Sequence, residues 1–82
     1  MEAKVVWQGK MFFQAKTGSG HTINMDAKPE VGGENKGARP TELILCGVGG
    51  CSGIDIVNIL NKMRQEITGL NVHVSGERAQ DY

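Results

Sequence analysis

An excess of charge of either sign is missing from this sequence, whose 82 residues carry nine basic and nine acidic side chains. Without a net positive field there is little to draw in phosphates or anionic lipid, so nucleic acid is not an expected partner. Also missing is a basic start followed by an apolar core and a cleavage site. Met1 leads directly into polar, strand-like residues, and the expected location is cytoplasmic. No charge-free run approaches the roughly 18 to 20 residues that span a bilayer. The longest lies between Glu42 and Asp55 and reads as a buried element, with no membrane partner expected. Cysteine is scarce: Cys46 and Cys51 alone do not make a disulfide scaffold, and a cytosolic setting keeps them reduced unless they are redox-active. Nucleotide-binding patterns are absent, since Gly18, Gly20, Gly32, Gly33 and Gly37 fit neither G-x-G-x-x-G nor G-x-x-x-x-G-K-[ST]. His21 and His73 have no ligand-spaced neighbours, so neither a metal nor a cofactor is expected.

What is present divides into short segments. Glu2 to Gln8 and Met11 to Ala15 are rich in β-branched and aromatic residues and flank Gly9-Lys10, a hairpin signal. After a second turn at Thr17-Gly18-Ser19-Gly20, His21, Ile23 and Met25 alternate with Thr22, Asn24 and Asp26, the period of a half-buried strand. Three antiparallel strands in a meander follow. Ala27 to Arg39 show neither helical nor strand period and read as a long loop of the kind that carries function or packs over a site.

Pro40 suits the first turn of a helix, where its missing N–H has no partner, and Glu42 suits the positive end of the dipole. From Leu43 to Met63 apolar residues cover most of the circumference at first, and Asn58, Asn61, Lys62 and Arg64 restore a polar side later. The pattern predicts a central helix buried at its start. Gly47, Gly49, Gly50 and Gly53 each cost about 1 kcal/mol relative to Ala within a helix. Either close approach of another backbone or a break near Gly49-Gly50, restarting the helix at Cys51, would offset that. Beyond Thr68-Gly69, Leu70, Val72 and Val74 alternate with polar residues as a further strand running toward Arg78. The expected class is α+β in a single domain spanning 1–82.

Small neighbours in L-I-L-C-G-V-G-G-C-S-G-I-D leave the Cys51 sulfur accessible. A reactive thiol also needs a helix N-terminus or a nearby cation, and no cation is adjacent in sequence. The other reading is a buried, inert cysteine. Asp55, one turn on, would oppose thiolate formation if it shared the face. Cys46, five residues earlier on a continuous helix, lies about 8 to 9 Å away on a different face, too far for a disulfide. It reads as core.

The run G-G-E-N-K-G-A-R-P-T-E-L-I-L-C-G-V-G-G-C resembles the OsmC/Ohr family's glycine-rich loop, Pro-x-Glu-Leu and small-residue stretch ending in cysteine. With M-D-A-K-P-E-V-G-G-E-N and C-S-G-I-D-I-V-N-I-L-N-K-M-R it is similar to the YhfA-like branch, and the resemblance covers essentially the whole sequence. It implies a cysteine-dependent peroxidase in oxidative stress defence: a thiolate attacks the O–O bond of an organic hydroperoxide, becomes a sulfenic acid, and is captured by a second cysteine. By motif position Cys51 is the peroxidatic residue, and Glu42 is the glutamate that helps orient an arginine beside it. The resemblance also implies an intertwined homodimer with the central helix at the interface.

The sequence departs from the family at two points. The family's arginine belongs to the amino-terminal meander, yet no arginine precedes Arg39. Lys10 and Lys16 are the available substitutes, without the planar fork of donors. The family's resolving cysteine lies in a carboxy-terminal half after a further strand and a second long helix, so the sequence looks like a member truncated at about three fifths of its length. Two alternatives therefore stand beside a peroxidase: a non-catalytic module that dimerises or binds a small apolar ligand, and a partly folded fragment.

Overall fold

The computed structural model describes residues 1–77. The chain forms two compact units, Met1–Glu42 and a second beginning at Leu43. In the first, β1 (Ala3–Trp7), β2 (Phe13–Thr17) and β3 (Thr22–Met25) make an antiparallel meander in the order β1-β2-β3. Both turns form where glycine lowers the cost of a left-handed backbone. Gly9 has φ 108° and Lys10 φ 51°, and Phe12 N donates to Gly9 O at 2.9 Å. Gly20, at φ 90°, donates to Thr17 O at 3.0 Å.

The register sorts the side chains by face. Val5, Ala15 and Ile23 form one cross-strand row and Trp7, Phe13 and Met25 the next, while Lys4, Gln14, Lys16, Thr22 and Asn24 point the other way. The sheet is therefore amphipathic. Its apolar face is thinly covered: among the described residues Ala15 is the one buried hydrophobic residue, at 8% exposure, while Trp7 remains 62% exposed.

The segment expected to be an unstructured loop is ordered by its own backbone. A short 3-10 turn, Pro29–Val31, ends on Gly32 at φ 97°, whose N–H donates to Pro29 O. The chain then returns beside β3 through a parallel bridge between Met25 and Ala38, with Asp26 N donating to Ala38 O and Ala38 N to Asn24 O. Glycine is required twice on this path. A Cβ on Gly33 would overlap the Ala27 carbonyl, and one on Gly37 would overlap the Asn24–Met25 backbone.

Helix α1 spans Pro40–Lys62 without a break, so the helix does not restart at Cys51. Two expectations are corrected here. The helix is not buried at its start, since none of its residues is buried; Ile44 is 66% and Ile54 71% exposed. The further strand expected from Leu70 onward does not form a ladder within the described residues, and Arg78 lies outside them. Residues 70–76 form a strap that runs beside the helix, with Val72 and Val74 next to Gly49 and Gly53, so their alternation reflects a contact with the helix rather than sheet pairing.

That contact explains one of the helical glycines, Gly49. Leu45, Gly49, Gly53, Val57 and Leu60 fall at helical spacing on one side and are the less exposed positions. A Cβ on Gly49 would come within 3.1 Å of Val74 Cγ2, and one on Gly53 within 3.8 Å of Val72 Cγ2. At Gly76 the added carbon would lie 3.2 Å from Leu45 Cδ2. The absence of a side chain at 49 thus lets the strap lie close, while at 53 a Cβ would make only ordinary contact. Gly47 and Gly50 have nothing within 4 Å and no such role within the described structure. By length and composition alone α1 also reaches the range of a membrane-crossing helix, 23 residues with a window of mean hydropathy 1.9, because it carries the apolar sequence past Asp55.

Candidate functional site

The start of α1 fixes Glu42. Arg39 occupies the cap position before Pro40, and its backbone N–H donates to Glu42 Oε1 at 2.8 Å, the glutamate half of a capping box. The Arg39 guanidinium turns into the loop, donating from Nη1 to Asn35 Oδ1 at 2.9 Å and to Gly37 O at 3.1 Å. Glu42 therefore caps the helix through a backbone group, and the arginine nearest to it in sequence is held by other partners.

Cys51 is exposed, and its sulfur is free. At 100° per residue it lies about 200° round from Gly49, on the side of the helix away from the strap. Ile44, Val48 and Asp55 share that side. Val48 is 53% exposed, so the thiol stands in an uncovered, largely apolar row of its own unit. The helix dipole acts within the first turn, and Cys51 lies eleven residues beyond Pro40. Along the helix the next basic residue is Lys62, again eleven residues on, about 16 Å of rise away.

The structure does not bring the two proposed site residues together. Nine positions of continuous helix separate Glu42 from Cys51, about 13 Å of rise and half a turn out of phase. Cys46 is also free and exposed, and it lines a groove between helix and strap with Leu45, Gly49, Val72, His73 and Val74. Its sequence reading as a core residue is corrected: it borders the strap but remains open to solvent. A second groove of the same unit, about 580 Å³, is lined by Gly50, Gly53, Ile54, Val57, Leu70 and Val72. Among the described residues no three His, Cys, Asp or Glu side chains are grouped to hold a metal.

Sequence reasoning missed Asp26, the largest fully buried side chain among the described residues, at 2% exposure. Both its oxygens are occupied. Oδ1 accepts from Ala27 N at 2.8 Å, and Oδ2 accepts from Glu34 N and Lys36 N at 3.1 Å each. Burial by itself raises the carboxyl's pKa, but the backbone N–H groups of Lys36, Glu34 and Ala27, with the charge of Lys36, outweigh it and hold it below the ordinary carboxylate range. Around this node Glu34 pairs with Lys10 at 3.5 Å and Lys36 at 3.4 Å, and Lys36 Nζ sits 5.8 Å from the Phe12 ring centroid. The sequence signal was an Asp closing a strand directly before a glycine-containing loop, the setting in which Asx side chains capture backbone N–H groups.

The model of the OsmC-like protein family matches residues 33–82, from the glycine pair of the loop through the helix and strap. The chain belongs to the OsmC-like family. It is 37% identical to Protein YhfA of Escherichia coli K12 over 81 residues, which is 99% of this chain and 58% of the relative. Protein YhfA of Shigella flexneri matches to the same extent. The chain thus spans a little under three fifths of the length of these curated relatives. A solved structure described as structural genomics superposes with a TM-score of 0.72 at 39% identity, covering 84% of this chain and 50% of that one. The expected α+β, OsmC-like architecture is therefore confirmed, as meander, ordered loop and central helix.

Proposed function

We propose that the chain is the cysteine-bearing part of an OsmC-fold thiol peroxidase, with Cys51 as the peroxidatic residue. The observation that carries this reading is the position of Cys51, which matches the family motif and stands exposed on a helix face that its own unit leaves open. The thiolate attacks the distal oxygen of an organic hydroperoxide. An S–O bond forms as the O–O bond breaks, the alkoxide takes a proton and leaves as the alcohol, and Cys51 becomes a sulfenic acid. Cys46, on a different side of an unbroken helix, is out of disulfide range, so an external thiol condenses with the sulfenic acid and water departs. A cytoplasmic thiol pool suits that step.

The cation that stabilises the thiolate comes from outside the helix–strap unit in this reading. The partner is a second copy, placed on the open side of α1 as an intertwined homodimer. A protein partner also fits the helix better than a bilayer does, because Asp55 within the apolar face would cost about 2.5 to 3.5 kcal/mol near a membrane centre. Stopped-flow oxidation of the reduced chain by an organic hydroperoxide tests the proposal. Reaction at Cys51 faster than that of free cysteine by about 100-fold or more is expected, and a rate equal to free cysteine removes the peroxidase reading.

One observation favours a second reading, a non-catalytic OsmC-fold module that dimerises or holds a small apolar ligand. Cys51 is in mid-helix, away from the helix N-terminus that activates many reactive thiols. Dimerisation with no enhanced peroxide reaction at Cys51 would select this alternative.

A further inference from the structure

The loop that follows β3 is held by an unusually concentrated set of bonds. Its first residue, its middle and its return path converge on one carboxylate: Ala27 N bonds Oδ1, while Glu34 N and Lys36 N share Oδ2. Eight to ten residues of chain separate the Glu34 and Lys36 donors from Asp26, so a single side chain closes the loop against its own strand. Beyond Lys36, the Ala38 bridge and the two bonds from Arg39 Nη1 complete the path to the helix.

We infer that Asp26 is a clasp whose ionised carboxylate holds the 34–36 stretch of the loop beside β3, and that neutralising it releases this stretch while the three-stranded meander stays folded. The meander has independent support, since the β1–β2 and β2–β3 ladders make no use of the carboxylate. The loop has bonds of its own at either end, Gly33 N to Lys28 O in its first turn and the Ala38 bridge on its return, but between them the Glu34 and Lys36 N–H groups bond the carboxylate. With the anion neutralised, those two N–H groups face a much weaker acceptor. Release also loosens the hold on the Arg39 guanidinium, because its acceptor Asn35 belongs to this stretch and Gly37 adjoins it. The clasp thereby controls the availability of the first arginine in the chain.

The charged groups around the carboxylate set the pH at which this happens. Lys36 favours the anion, while Glu34, a like charge, is offset by Lys10 from the β1–β2 turn and by Lys36 itself. Lys28 and Glu30 lie on the loop, and Arg39 closes its far end. Asp26 titrates below its unfolded value. The stability it supplies is thus complete above the ordinary Asp range near pH 4, and it is lost as pH falls through the folded value.

Amide hydrogen exchange on the full chain, read by NMR at successive pH values and in Asp26→Asn, tests the clasp. Native-state protection factors are compared, which removes the intrinsic pH dependence of exchange. At neutral pH the wild-type amides of Glu34 and Lys36 are expected to be protected. Their protection should fall at least about tenfold on acidification and in Asp26→Asn, while Ala15 and Lys16 in the central strand keep theirs. Loop and strand amides losing protection together in the wild-type titration would overturn the proposal, as would an Asp26→Asn chain with loop protection intact. Should Asp26→Asn fail to fold, the wild-type titration alone decides.

Discussion

The two units of this chain satisfy their surfaces by different means. From Met1 to Glu42 the polar groups are matched to partners within the unit: two ladders, two glycine turns, a buried carboxylate with three donors, and a helix cap made by Glu42. From Leu43 onward the backbone is satisfied by helical bonding, but the side chains are not covered, and Ile44, Val48, Ile54, Ile59 and Met63 all remain exposed. Backbone hydrogen bonding can be completed locally, whereas apolar burial needs a second surface. The helix thus leaves an apolar face without cover in its own unit, as the sheet does at Trp7, 62% exposed, whereas the polar loop is organised from within.

Breaking the internal organisation should cost most. Gly33→Ala forces a Cβ into the Ala27 carbonyl, and a loss of about 2 to 4 kcal/mol is expected in urea unfolding; Gly32→Ala is destabilising too, through the backbone strain of a Cβ at φ 97° and not through contact. Next comes the open helix. Ile54→Lys places a charge on a residue already 71% exposed, so the helical circular dichroism should hardly change while self-association weakens tenfold or more, about 1.4 kcal/mol. Sedimentation velocity over a concentration series reads that difference.

Removing the cap is a smaller change. Glu42→Ala leaves Arg39 N–H without its carboxylate and should cost about 1 kcal/mol, with Glu42→Gln retaining most of it because the amide oxygen still accepts. A peroxide rate that falls far beyond this stability effect in Glu42→Ala would give the residue a chemical role as well. At the bottom of the scale, Lys10→Ala removes an exposed ion pair with Glu34 at 3.5 Å, worth a few tenths of a kcal/mol, roughly the median for such pairs. A larger loss would mean that the pair helps hold the loop.

Much of the first unit was legible in the sequence because its signals are local. Gly9-Lys10 and Thr17–Gly20 announce turns through their backbone preferences, and Pro40 with Glu42 announces the helix start. Asp26 left one local signal, an Asp at a strand end before a glycine-containing loop, but its burial was not legible, since the alternation of β3 assigns it to the solvent side and the returning loop supplies the donors. The alternation of Leu70, Val72 and Val74 was read as a ladder strand, but period two reports a two-sided environment and not a hydrogen-bonding neighbour. Similarly, the apolar content of α1 shows that it needs cover without showing where the cover is. For Cys51 the sequence supplies a family motif and no electrostatic setting. A restarted helix would have given it a dipole, and the unbroken one does not.

A peroxidatic Cys51 must be chemically distinct from Cys46, a second exposed thiol on the same helix that serves as an internal control. Quantitative mass spectrometry of both thiols after brief exposure of the reduced chain to an organic hydroperoxide measures that distinction directly. Cys51 oxidised at least about tenfold faster than Cys46, with Cys46→Ser leaving its rate unchanged, is the expected result. Equal rates at the two cysteines, or faster loss of Cys46, would contradict Cys51 as the peroxidatic residue.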